Sequence, residues 1–305
     1  MSTASHSFDR RDAVDAAAVA FMLVLTFSWG LNGVAAKLTN VGYNPIFLNV
    51  ARSAIACVLV FLWCQFRGIR LFERDGTLFG GILAGLLFGT EFSLVFVALE
   101  YTTVARNSLL VNTMPFWVLV GAHFWLGERM TMQKLVGLVL AFCGVIVIFS
   151  DRLGGGGQST LFGDLLSLAA GLFWALTTLT IKRSKLQTAS AEKVLLYQLV
   201  VSAIMAIPLV PLAGPALRDV TPLATGALLF QAVYIVTITY IVWFWLMRRY
   251  PAAGLSSFAF LSPAFSVICG WLILGEPLTW TIFLALGLIA VGLSIVNRPR
   301  RPKTA

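Results

Sequence analysis

Glu91 stands about midway along an apolar stretch, 77–99, that holds no other charged residue. A carboxylate there has three uses open to it: exchanging a proton, meeting a positive group on a solute, or pairing with another buried charge. In hydrocarbon a central charge costs about 2.5–3.5 kcal/mol or more, so an acid at that depth is a functional candidate by default. Arg52 is stranded in the neighbouring apolar run, 45–66, and offers the structural alternative, an ion pair inside the protein. Gly81, Gly85 and Gly89 make a small-residue ridge suited to close helix packing. At 100° per residue Glu91 points 200–280° away from that ridge. It therefore faces a cavity, another helix or lipid, and lipid is the costliest.

Other polar residues recur where lipid-facing chains are apolar. A fourth stretch carries Ser108, Asn112, Pro115 and His123. In one unbroken helix, the eleven residues from Asn112 to His123 turn only about 20° from a whole number of turns. A later stretch offers Ser256, Phe260 and Pro263, so one wall reads amide-polar and the other aromatic. Pro115 and Pro263 read as mid-helix prolines that free carbonyls and act as kinks or hinges, and His123 reads as a gate residue near one end. Trp29, Asn32 and Lys37 come from the first stretch, Trp174, Thr177 and Thr178 from the sixth, and Tyr234, Thr237, Thr239 and Tyr240 from the eighth. The binding set predicted from these residues is Trp29, Asn32, Glu91, Ser108, Asn112, Trp174, Thr177, Tyr234, Thr239, Ser256 and Phe260. Glu128 and Glu276, each following a glycine at the end of a stretch, are expected to cap the next helix at its positive N-terminus.

The elements that must position these residues follow from composition. Of 305 residues, 59% are hydrophobic and 11% charged, against roughly 25% charged in an ordinary globular chain. A chain of this mean hydropathy, +0.88, belongs to the polytopic membrane class. Charge-poor stretches near the length needed to cross hydrocarbon fall at 14–36, 45–66, 77–99, 102–126, 131–150, 160–181, 192–213, 221–246, 251–274 and 278–297. With the N-terminus inside, all the Lys and Arg residues except Lys37, Arg52, Arg106, Arg152 and Arg218 collect on the cytoplasmic side. The positive-inside rule then places both termini in the cytoplasm. The short polar segment before Asp12 lacks the pattern of a cleaved signal peptide.

The chain repeats itself. A slide of 148 residues aligns Ala105, Ser108, Pro115, Leu126-Gly127-Glu128, Thr131, Leu138, Leu140 and Gly144 with Ala253, Ser256, Pro263, Leu274-Gly275-Glu276, Thr279, Leu286, Leu288 and Gly292. A slide of 145 pairs Trp29 with Trp174 and Lys37 with Lys182. The reading is two five-span units, 1–150 and 160–305, joined by a Gly-rich linker at 151–159. Five is odd, so the second unit enters the membrane from the opposite side, and inverted repeats place solute sites near the midplane where the units meet.

The duplicated Pro-to-Leu-Gly-Glu segment, the five spans per repeat and the Trp in each first span resemble the EamA repeats of the drug/metabolite transporter superfamily. Within it the chain is similar to YddG-type bacterial amino-acid exporters. The resemblance implies an all-α polytopic membrane protein, ten transmembrane helices as two inverted five-helix repeats around a central cavity lined mainly by spans 1, 3, 4, 6, 8 and 9. It also implies a secondary transporter of the bacterial inner membrane, exporting amino acids or related metabolites by alternating access. A cationic drug or a sugar metabolite is the alternative solute.

What the sequence lacks narrows the classes further. Gly154–Gly157 is followed by no Gly-Lys-Ser/Thr, so it is no phosphate loop, and His-Glu-x-x-His, Cys-x-x-Cys and Gly-x-Ser-x-Gly do not occur. No enzymatic activity, cofactor or metal is expected. Cys57, Cys64, Cys143 and Cys269 lie in apolar runs and read as packing residues. The expected partners are a small-molecule substrate and membrane lipids, with no nucleic acid, and the chain is expected to work as a monomer.

Overall fold

A computed structural model describes residues 15–127, 131–150, 158–250, 258 and 261–297. It is built of helices α1 (Ala16–Gly42), α2 (Pro45–Phe66), α3 (Leu78–Ala98), α4 (Val104–Val111), α5 (Met114–Trp125) and α6 (Met132–Ser150) in the first half. The second half holds α7 (Gln158–Arg183), α8 (Ala191–Ala206), α9 (Pro222–Leu229), α10 (Tyr240–Arg249), α11 (Leu261–Leu274) and α12 (Trp280–Asn297). A 3-10 extension, Ile207–Ala213, prolongs α8, and a π-helical segment, Phe230–Thr239, joins α9 to α10. Between strands and helices the balance is one-sided: among the described residues the extended pairing is an isolated bridge, Tyr43 with Leu217.

Six of the membrane-crossing elements are long and apolar enough on their own, with shorter apolar helices at 132–144, 261–274 and 280–292. With the fourth span, made of α4 and α5, they form the ten-helix inverted repeat. Local chemistry sets many of the ends. The Asp15 carboxylate accepts the Ala18 N–H to start α1, and Asn44, followed by Pro45, accepts from Ile46 and Phe47 to start α2. Thr103, Ser190 and Thr221 do the same for α4, α8 and α9. Helix α1 runs past Lys37 to Gly42, beyond the end of its charge-free stretch. A charged side chain with a partner need not end a helix, and Lys37 has one (below).

The packing obeys the pseudo-twofold. Helix α1 packs on α11, and its repeat counterpart α7 packs on α4 and α5; α2 meets α8, and α6 meets α12. The Gly81–Gly85–Gly89 ridge does the work expected of it: a Cβ at those positions would fall 2.5–2.9 Å from Tyr197, Val201 or Ser202 on α8. Gly30 likewise lets α1 come against the backbone of α11 at Ser266. Cys64 and Cys269 are buried in apolar clusters of the bundle.

The fourth span departs from the expected single helix. It is broken into α4 and α5 at Asn112–Thr113. Pro115 is thus the second residue of α5, in a first turn, where a missing N–H leaves no helical hydrogen bond unmade. It begins a helical segment instead of kinking the middle of one. Pro263 lies within α11, next to residues outside the described set. The break also ends the uninterrupted rotation that put Asn112 and His123 on one face.

Candidate functional site

The repeated Leu-Gly-Glu motif explains itself at its second copy. Gly275 has φ +66, a left-handed conformation that costs glycine nothing and ends α11. The N–H groups of Gly275 and Glu276 turn back to the carbonyls of Trp271 and Gly270. That turn throws the Glu276 carboxylate across to the other repeat, where it accepts the Val104 N–H at 2.9 Å and meets Lys37 Nζ at 2.8 Å. Glu276 therefore caps a helix N-terminus as expected, but that of α4 and not of α12, the helix that follows it. Sequence order hid this because the cap crosses between repeats. Gly127 has the matching φ of +67; Glu128 lies outside the described residues.

A second charged group ties α4 to α7. Asp164 is fully buried and accepts from Arg106 Nε at 3.2 Å, from Nη2 at 2.6 Å, and from the Thr102 hydroxyl at 2.6 Å. Such a bidentate carboxylate–guanidinium fork is a strong charge-assisted contact. Between α2, α3 and α8 a neutral network is equally complete. Asn49 donates to the Gly89 carbonyl and to Ser93 Oγ, and its own oxygen takes hydroxyls from Ser53 and Ser202. Most buried polar groups in this bundle find partners, as membrane interiors require, with single atoms of Asn32, Asn40, Trp117, Gln231 and Arg249 left without one among the described residues.

Arg52 and Glu91 break that pattern. Arg52 is 1% exposed and Glu91 4%. Arg52 Nε and Nη2 and Glu91 Oε2 are enclosed without a hydrogen-bond partner among the described residues. The two charges feel each other and Tyr240 electrostatically. The Arg52 guanidinium carbon lies over the Phe92 ring, 3.8 Å from its centroid, with Phe96 at 5.0 Å. This cation–π contact leaves Nε and Nη2 without a hydrogen bond. Counted from the Gly42 end of the bundle, Arg52 is the eighth residue of α2 and Glu91 the eighth of α3. At ~1.5 Å per residue each lies roughly 10 Å deep.

The residues expected to bind solute fall into two groups. Trp29, the midpoint of α1, donates its indole N–H to Thr239 Oγ1 at 2.9 Å and meets Trp243 edge-on at 5.6 Å. Tyr234 shares a hydrogen bond of 3.0 Å with Ser28, and Asn32 Oδ1 is enclosed and unpartnered. Thr239 closes the π-helical segment and Tyr240 opens α10. The wider turn of that segment resets the azimuth of all that follows, and such segments recur at functional sites. The second group, Ser108, Asn112, Trp174 and Thr177, lies on α4, α7 and the break between α4 and α5. Asn112 spends one amide hydrogen on the Ser108 carbonyl at 2.8 Å, and the Thr177 hydroxyl returns to Phe173. His123 is exposed at the end of α5, edge-on to Phe124. Ser256 and Phe260 lie outside the described residues. A crevice of about 610 Å³ opens sideways between α1, the π-helical segment and α11, lined by Leu23, Val24, Phe27, Ser28, Leu31, Phe230, Tyr234 and Phe265. Its lining is mainly apolar, with Ser28 and Tyr234 its polar members.

Two five-helix units of opposite orientation, with charged groups held between their helices, define a polytopic membrane transporter. The EamA-like transporter family matches residues 16–150 and 161–298, one repeat each, and the chain belongs to that family. An uncharacterized transporter of Bacillus subtilis, YoaV, is 29% identical over 277 residues, covering 89% of this chain and 94% of the relative. A probable amino-acid metabolite efflux pump of Escherichia coli is 28% identical over 290 residues, covering 90% and 92%. A crystal structure of 20% identity superposes with a TM-score of 0.64 over 92% of this chain and 97% of that one, a likeness of fold.

Proposed function

We propose that this protein exports amino acids, neutral and aromatic ones included, or closely related metabolites, across the bacterial inner membrane by alternating access. It works as a monomer with both termini in the cytoplasm, which places the Lys37–Glu276 contact at the periplasmic end. Its two repeats, 1–150 and 160–305, exchange roles about the linker at 151–159. The observation that carries the reading is that Arg52 Nε and Nη2 and Glu91 Oε2, atoms of oppositely charged groups, are enclosed at one depth on α2 and α3 with no hydrogen-bond partner among the described residues. A purely structural ion pair is expected to close its hydrogen bonds, since buried charge left without them is destabilising. The likeness to an amino-acid metabolite efflux pump supports the solute class. A cationic drug or a sugar metabolite suits the site less well, because Arg52 would face a cation with like charge and a neutral sugar would leave both charges unmet.

Trp29, Trp174 and Phe260 supply aromatic surface for variable side chains, and Asn32, Ser108, Asn112, Thr177, Tyr234, Thr239 and Ser256 supply polar groups. Apolar surface separates solutes that differ by one methylene by only ~1–3 kcal/mol, so selectivity is broad. Counterflow of radiolabelled neutral amino acids into liposomes containing only this protein tests the reading. Accumulation driven by unlabelled internal amino acid, with apolar and aromatic amino acids competing, is expected. Strict specificity for an inorganic ion or a phosphorylated sugar would defeat it.

A further inference from the structure

Two buried arginines in this chain present the same chemical edge, and only one has it filled. Arg106 uses Nε and Nη2, the side-on fork of the guanidinium, to hold the Asp164 carboxylate. In Arg52 the same two atoms are the enclosed and unpartnered ones. Its guanidinium carbon already sits over the Phe92 ring. Glu91, at the same depth on the next helix, holds an enclosed and unpartnered Oε2. Around them Asn49, Ser53, Ser93 and Ser202 satisfy one another, so unmet polarity is not a general property of this part of the bundle.

We infer that Arg52 and Glu91 together form a zwitterion head-group site: the Arg52 fork takes the α-carboxylate of the solute and Glu91 takes its α-ammonium. The inference rests on the amino-acid reading above and deepens it by assigning the recognition to one pair of residues. An ordinary α-amino acid carries its two charges on neighbouring carbons and answers both vacancies at once. The amide, which lacks the carboxylate, and the deaminated acid, which lacks the ammonium, each answer only one. The fork also matters beyond its charge, because a carboxylate binds it through two parallel hydrogen bonds that a lysine cannot reproduce. Helix α8 of the second repeat packs on both α2 and α3, so a solute seated between these residues lies against both halves of the inverted repeat.

The test is counterflow of radiolabelled leucine in proteoliposomes, with leucine, leucinamide and 4-methylpentanoate as unlabelled competitors. For the wild-type protein, leucine should compete about tenfold or more better than either analogue, the loss expected for one charge-assisted contact. Arg52→Gln should weaken leucine by a similar factor and bring leucine and leucinamide within about threefold of each other, while 4-methylpentanoate stays poor. Glu91→Gln should do the reverse, erasing the difference between leucine and 4-methylpentanoate. Arg52→Lys should retain part of the preference for leucine over leucinamide that Arg52→Gln loses. Equal competition by all three compounds in the wild type, or an undiminished preference for leucine over leucinamide in Arg52→Gln, overturns the assignment. The wild-type panel needs no variant, so it decides the matter even if a substituted protein cannot be purified. No leucine counterflow at all would defeat the amino-acid reading and the head-group site with it. Counterflow without head-group discrimination would defeat the site alone.

Discussion

Arg106 and Arg52 are both buried arginines on helices of the first repeat, and they have been given opposite surroundings. Arg106 shares its fork with Asp164, which is further tied down by Thr102. Arg52 has an aromatic floor, a carboxylate within electrostatic reach, and no hydrogen bond to Nε or Nη2. The first arrangement joins α4 of one repeat to α7 of the other and has nothing left to offer a solute. The second keeps its bonding capacity in reserve. A membrane carrier needs both kinds of charge, one to hold helices in register and one to be met by what passes through.

Breaking the filled fork should have the largest structural effect. Asp164→Asn leaves Arg106 buried without its counter-charge and should cost about 3–5 kcal/mol, read as a large drop in melting temperature and in the yield of monodisperse protein. Replacing the whole group by apolar side chains of similar volume, Arg106→Met with Asp164→Leu, should recover most of that loss. A double variant as unstable as Asp164→Asn would show that the pair does more than satisfy itself.

Next comes the contact between repeats at Glu276. Glu276→Gln keeps an acceptor for the Val104 N–H but loses the charge that meets Lys37 and the N-terminal dipole of α4. A cost of about 1–2 kcal/mol is expected. Faster thiol labelling of a cysteine placed at Thr103 should accompany it, since the start of α4 is then held less firmly. Unchanged melting and labelling would show that the contact is ornamental.

The smallest effect belongs to the loop between α2 and α3. There the Lys193 ammonium, at 2.8 Å, and two hydrogen bonds from Thr77 hold the Asp75 carboxyl well below the usual carboxylate range. A carboxyl depressed in the folded state contributes stability that is fully present above its unfolded value, about pH 4, and is lost as the pH falls. Asp75→Asn should therefore melt slightly lower than wild type at pH 7, and the two curves should approach each other as the pH drops below about 4. A gap that widens in acid would contradict the sign.

Much of this was legible in residues alone. Charge-poor stretches give the spans, and the two Leu-Gly-Glu copies give the repeat. The glycine ridge of α3 gives a packing face that the structure uses against α8. What stayed hidden depends on contacts between elements far apart in sequence. Lys37 ends an apolar run, yet α1 continues through it because Glu276 waits on the other repeat. Asn112 and His123 share a face only while the fourth span is one helix, and in the structure it is two, α4 and α5, each packed on α7. The π-helical segment has no proline or glycine to announce it. Arg52 stood out in its span but read as the natural partner of Glu91. Only the geometry shows that the two leave their bonding edges open.

The distinction between the filled and the open fork can be measured on purified protein by melting it with and without a neutral amino acid. A solute that binds the folded state at about 100 times its dissociation constant adds about 2.7 kcal/mol of stability, so wild-type protein should melt several degrees higher in saturating leucine. Arg52→Gln should melt close to wild type without leucine and gain almost nothing from it. A full leucine shift in Arg52→Gln, or a ligand-free melting temperature that falls as far as that of Asp164→Asn, would show that Arg52 is a structural arginine like Arg106.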